Sequence, residues 1–367
     1  MRKIILMILL FLILISGQVC ADGVDSVLDK ETRNNIKNTF ENAGVEFDAL
    51  DIIDKLNSGD FKVEYKSIAE YVKINVANEF KETFAFISHI FILVMLSSLI
   101  DNVQLTAKKD KVLNLVVTGV VVLSLITVTY DIAEYSIHMI DRLILFINSL
   151  IPTLMTLMAT SGKIGTSGML NPVMIGVSSV ISLIIKSFVV PLSIIGLMLK
   201  LTGDITNKTY LVNFGNQLYK LLKWTLGLVF TIYVGIISIV GVAAPKVDEI
   251  TLKTTKYAVG SFIPYVGGML ADSVDLILAC SNVVKNSVGI AGLVGILSVV
   301  AIPCIKIAVK VISVNILSVA VSPVSGKAVV SSINNVSACL SILLGMTVVV
   351  SIMYILSITV IIFIGGA

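Results

Sequence analysis

The sequence predicts an all-α, polytopic membrane protein with a cleavable signal peptide and a small extracytoplasmic helical N-terminal region. Three observations carry that prediction. Of 367 residues, 56% are hydrophobic and only 14% are charged, whereas soluble domains carry about a quarter charged residues. Apolar runs long enough to cross hydrocarbon recur along the chain. The one extended polar region lies near the N-terminus, at residues 22–83. A net charge of +3 is too small to argue for nucleic acid. The lysines are spread over the connections between runs, where they suit helix ends facing anionic lipid headgroups.

Residues 1–21 read as a signal peptide. Arg2 and Lys3 precede an apolar core, Ile4 to Ile15, and small residues lead to Ala21, after which cleavage is expected. A retained anchor or a lipid-bearing Cys20 are the alternatives. In residues 22–83, apolar positions such as Ile36, Phe40, Val45, Ile53 and Leu56 predict short amphipathic helices, with a turn at Asn57-Ser58-Gly59-Asp60. Tyr65–Lys81 reads as a helix leading into the first span. This region is either a solvated cap or a docking surface for a partner.

Residues 84–367 form the predicted membrane domain. Phe84–Ile100 and Val112–Tyr130 read as spans, separated by Lys108, Lys109 and Lys111. An external acidic loop with Asp131, Glu134 and Asp141 is expected next, followed by a span at Leu143–Ala159 broken or kinked at Pro152. The run 172–199 holds Lys186 and Pro191. It fits one broken helix or a re-entrant hairpin, and the basic segment after it favours the hairpin. Asn213–Trp224 suits an interfacial helix with Tyr219 and Trp224 at headgroup level. In the next span, which Pro245 is expected to end, Gly227, Thr231 and Gly235 make a small-residue stripe suited to close helix packing. Asp248 and Glu249 fall in a predicted short loop. Val311–Val324 reads as a short span or interfacial helix, and Ala338–Ile364 as the last span.

The segment Phe262–Ile305 is the most unusual. Pro264, Gly267 and Gly268 predict a second broken or re-entrant element across 262–285. Asp272 and Asp275 share a helical face inside an apolar run, and Lys285 interrupts it. Ser287, Ala291 and Gly295 repeat the small-residue stripe, and Pro303 marks a further break. Charges within hydrocarbon by default mark a polar path or an interhelical pair. Lys186, Asp272, Asp275 and Lys285 are therefore candidate path or gate residues. The alternative places both acids on an interfacial helix outside the bilayer.

No catalytic, metal or cofactor site emerges. His89 and His138 have no partners at ligand spacing, and His89 is expected to be packed. Nucleotide-binding GxxxxGK[ST] and nucleophile-elbow GxSxG patterns do not occur. Tyr130-Asp131 resembles half of an intramembrane aspartyl protease pair, but Leu201-Thr202-Gly203-Asp204 lacks the first glycine of the GxGD half. Cys280, Cys304 and Cys339 fall in apolar runs and read as small hydrophobes.

Phe262-Ile263-Pro264-Tyr265-Val266-Gly267-Gly268, then Ala271-Asp272, then Asn286-Ser287-Val288-Gly289-Ile290-Ala291-Gly292, resemble the stage III sporulation protein AE family. The overall layout agrees across nearly the whole chain. The resemblance implies a non-enzymatic core membrane subunit, export-gate- or platform-like, of the channel joining mother cell and forespore. It implies residence in the mother-cell membrane around the forespore. The implied partners are other stage III sporulation channel proteins, including a separate ATPase and ring-forming proteins. A stand-alone small-solute permease and a non-conducting scaffold are the alternatives.

Overall fold

The computed structural model describes residues 30–45, 47–58, 65–102, 109–262 and 267–366. Side-chain surroundings are described for these except at 65–72, 97–102, 109–115, 117–118, 243–247, 249–262, 267–281 and 365–366. The expected signal peptide and Pro264 lie outside the described residues. Among those residues every regular element is helical: α1 Lys30–Asn42, α2 Ala49–Ser58, α3 Tyr65–Asn102, α4 Lys109–Thr160, α5 Ile164–Thr206, α6 Thr209–Phe262, α7 Gly267–Val321 and α8 Lys327–Gly366. Five helices, α4 to α8, contain segments long and apolar enough to cross a membrane. Phe84–Ile100 lies on α3, whose last residues have no described side chains.

Tight turns fold the long helices back on one another. At the end of α4, Gly162 takes φ +80°, and the Lys163 N–H reaches back to the Met158 carbonyl at 3.0 Å. Asn207 closes α5 in the same left-handed conformation, with the Lys208 N–H on the Gly203 carbonyl at 2.9 Å. A left-handed residue after the last turn lets the next N–H satisfy an orphan carbonyl. Glycine and asparagine enter that region most readily.

The hairpin α5–α6 is drawn together by small residues on α5. Gly196 lies under the Tyr219 ring, where an added Cβ would come within 2.6 Å, and Gly203 faces Val212 at the same separation. The hairpin α7–α8 is held by apolar packing and by polar pairs. Ser318 donates to Asn334 at 2.6 Å, and Ser337 to Asn315 at 2.6 Å. Helix α4 packs on α7, with Phe146 over Gly295 and Leu150 over Gly292.

Several sequence expectations change here. The acidic loop after Tyr130 does not exist, because Asp131, Glu134 and Asp141 lie in the uninterrupted helix α4. Residues 131–142 contain no glycine or proline to stop a helix. Likewise α6 continues past Pro245 to Phe262, placing Asp248 on a helix. Pro152 and Pro303 end nothing, since each sits inside its helix. One proline removes one backbone bond, and neighbouring helices can hold such a site in register.

The hairpin favoured for 172–199 is also absent. Ile164–Ile184 passes through a π turn, Ile185–Val189, into Val190–Thr206. Pro191 has no N–H for the Ser187 carbonyl, and its ring would crowd that oxygen in a regular helix. The wider turn accommodates both, with the Val190 N–H bonded to the Ile185 carbonyl. The broken or re-entrant element expected across 262–285 is not seen over 267–285, which is continuous helix opened by Gly267 and Gly268, while 263–266 lie outside the described residues.

The polar N-terminal region packs on the bundle. Ile36, Phe40 and Ile53 are buried. Phe40 meets Phe146 edge-on at 5.0 Å between ring centres, and Ser287 Oγ bonds the Asn57 side chain at 2.5 Å. Helix α3 runs across residue 83 without interruption, as the lead-in from Tyr65 predicts.

Candidate functional site

The charges and polar side chains within the bundle lie at separate levels. At one end, Lys163 and Lys285 converge on the C-terminal turn of α8. Lys285 is fully buried, and its Nζ donates to the Ile362 carbonyl at 3.2 Å. Lys163 Nζ donates to the Ile364 carbonyl at 2.7 Å. Cations suit the last carbonyls of a helix, where the negative end of its dipole emerges. Beside them Asp248 accepts from the N–H groups of Gly165 at 2.7 Å and Thr166 at 3.0 Å. A carboxylate there satisfies the orphan donors that open α5. Burial pushes the Lys163 ammonium below the ordinary lysine range, and the Asp248 carboxylate opposes that shift.

The second level lies 23 residues further along α5, roughly 35 Å of helix rise. Here Lys186, in the π turn, forms an ion pair with Asp141 of α4, and the two side chains are 37% and 35% exposed. Leu145 and Leu183 are exposed one turn away, while the exposed His138–Glu134 pair continues the face of Asp141 along α4 and Arg142 is exposed beside it. A neighbouring cluster ties α3 to α7. Buried Glu79 lies 3.8 Å from Lys306 and 3.6 Å from Lys310, and Lys306 also covers the Tyr135 ring at 5.1 Å.

At the opposite end, Asp204 accepts from Ser331 at 2.8 Å and from Asn335 at 2.7 Å. Lys200 is buried nearby over the Tyr219 ring, 4.6 Å from its centre. Tyr219 is itself buried, so only Trp224 of the expected interfacial pair is outward-facing.

The candidate path residues therefore do not meet at one point. Lys186 and Lys285 occupy different levels. Asp272 and Asp275 lie in the early turns of α7, in a part of the helix whose side chains are outside those described. Nor do the two small-residue stripes behave alike. Ser287, Ala291 and Gly295 are packed inside the bundle, whereas Gly227, Thr231 and Gly235 face outward. His89 is exposed, its ring 2.7 Å from the Ala85 carbonyl, and is not packed. Among the described residues no three His, Cys, Asp or Glu side chains group as a metal site.

The family model for stage III sporulation protein AE matches residues 47–365. The chain belongs to that family. A stretch of 275 residues is 28% identical to the stage III sporulation protein AE of Bacillus subtilis (strain 168), covering 75% of this chain and 69% of that protein. No solved structure matches the chain. In this family member the polar residues that sequence reasoning passed over are Lys163, Asp248, Glu79 and the Asp204 cluster. The signal for the last was present, since Ser331-Ser332-Ile333-Asn334-Asn335-Val336-Ser337 is a dense polar run at the head of an apolar helix. Asp141 and Asp248 were hidden by being assigned to loops.

Proposed function

We propose that this stage III sporulation AE family member is a core membrane subunit, export-gate- or platform-like, of the channel linking mother cell and forespore, required for forespore development. In this reading it resides in the mother-cell membrane around the forespore, with its N-terminal region extracytoplasmic. It works with other stage III channel proteins, among them a separate ATPase and ring-forming components, and catalyses no reaction itself. Family membership supports the sporulation role.

The observation that favours a subunit beside a polar path is the Lys186–Asp141 pair. With exposed Glu134, His138 and Arg142 beside it, this partly exposed pair makes a charged strip on α4, costly against lipid and relieved by water or by a neighbouring protein. Asp272 and Asp275 are proposed as the gate's acidic face. Lys285 leaves the path, being fully buried and committed to the Ile362 carbonyl.

The test uses Asp141→Asn, Lys186→Met and Asp272→Asn/Asp275→Asn in a sporulating host, reading spore yield and protein level. Each is expected to block forespore development at normal protein level, and normal yield from all three overturns the proposal. A scaffold reading is favoured by one fact: Lys186 and Lys285 both find partners within the chain. Full recovery of yield by the charge-swapped Asp141→Lys/Lys186→Asp protein would support that reading.

A further inference from the structure

A basic cleft lies outside the levels assigned to the path. Helix α6, with Lys200 of α5 and Ala338 of α8, borders an open cleft of about 500 Å³, within the usual size of small-molecule sites. Its lining includes Lys200, Lys220 and Lys223 together with Asn213, Asn216 and Gln217, and no acidic residue. Lys200 closes its inner end. That ammonium is buried, is held over the Tyr219 ring, and is fixed in place by close packing between Gly196, Gly215 and Tyr219. The nearby acid, Asp204, is turned to Ser331 and Asn335. The cleft thus offers three ammonium groups and three side-chain amides, the donor chemistry that suits a phosphate oxyanion.

A second observation sets its depth. Trp224 is exposed on α6 directly after Lys223 and one turn beyond Lys220. Exposed aromatics mixed with lysines mark the headgroup layer. On the far side of Trp224, the outward residues turn to Leu228, Ile232, Ile239 and Val242, which suit acyl chains. A basic pocket between membrane helices at headgroup depth is the arrangement that holds an anionic lipid.

We propose that the cleft between α5, α6 and α8 binds the phosphate headgroup of an anionic phospholipid, with Lys200 at its base and Lys220 and Lys223 at its mouth. The lipid's acyl chains would then run down α6 past Trp224. This assignment does not depend on the channel reading.

The chain contains one tryptophan, Trp224, so the protein carries its own probe. The full chain is reconstituted in nanodiscs of phosphatidylcholine doped with brominated phosphatidylglycerol or, separately, with brominated phosphatidylcholine, and quenching of Trp224 is compared. The brominated anionic lipid is expected to quench at several-fold lower mole fraction. Lys220→Gln/Lys223→Gln should lower that preference by roughly fivefold for each lysine in contact. The matched-charge control Lys208→Gln/Lys327→Gln, outside the cleft, should leave it unchanged.

Equal quenching by the two lipids in the unmodified protein overturns the proposal. So does an equal loss in the control, which would mean bulk surface attraction only. Titration of inorganic phosphate into the protein in neutral nanodiscs is expected to show no saturable binding. Saturable binding that Lys220→Gln/Lys223→Gln removes would assign the cleft to a soluble phosphate and overturn the lipid. If the double variant fails to fold, Gln217→Glu, which adds an acid to the same lining, replaces it with the same expected loss.

Discussion

Two helices carry small residues at the same four-residue spacing, and the bundle uses them in opposite ways. On α7, Ser287 is 5% exposed, Ala291 is fully buried and an added Cβ on Gly295 would fall 2.6 Å from the Phe146 ring and 3.0 Å from Phe40. On α6, nothing lies within 4 Å of the same added atom at Gly227 or Gly235, and Thr231 turns its hydroxyl back to the Gly227 carbonyl at 2.9 Å. The spacing makes a face that permits close approach. What occupies that face depends on which neighbours the turns bring round. Helix α7 is surrounded by α4, α8 and the N-terminal hairpin, while the outer face of α6 meets no other part of the described chain. An inward stripe is a packing device, and an outward one is an unfilled contact.

The inward stripe on α7, being tightly packed, is expected to respond most to substitution. Phe40→Ala removes the aromatic ring that seals the α7 stripe. It is expected to cost about 3–5 kcal/mol, as for other buried phenylalanines, and to release α1 and α2. Faster protease cleavage between residues 42 and 65 in detergent-solubilised protein is the readout, and unchanged protection would mean the N-terminal hairpin is held from elsewhere. Gly295→Ala should destabilise by about 1–3 kcal/mol through overpacking against Phe146, seen as a lower thermal midpoint. On α6 the sign should reverse. Gly227→Ala and Gly235→Ala have open space to fill and gain helix propensity, so each is expected to stabilise the isolated protein by about 0.5–1 kcal/mol. If those two substitutions instead lower the midpoint, the outer face is packed by something belonging to the same molecule.

Much of the architecture was legible because it depends on local signals. Apolar runs announced membrane-length helices, and the Gly/Ser-containing stretch near Lys163 coincides with one of the turns that fold them. Helix ends were misread wherever charge or proline was taken as a stop. Asp131 and Glu134 can ride an exposed helix face, and Pro152, Pro245 and Pro303 each remove a single backbone bond that flanking helices make tolerable. The Lys186–Asp141 pair was half legible. Lys186 stood out against its apolar run, but its partner is 45 residues earlier and was assigned to a loop. Lys163 and Lys285 show the limit more plainly. Their acceptors are the backbone carbonyls of Ile364 and Ile362, and a carbonyl carries no mark in a sequence.

The lengths of these helices have a consequence for how the protein sits. Helix α5 spans 43 residues, a rise of roughly 65 Å, and the hydrocarbon layer is about 30 Å thick. Even a steep tilt of about 40° leaves some 50 Å along the normal. Helix α5 is therefore longer than the hydrocarbon layer it would cross, so at least one of its ends reaches into or past the headgroups, where Lys163 at one end and Asp204 at the other meet water or polar neighbours more easily than lipid tails.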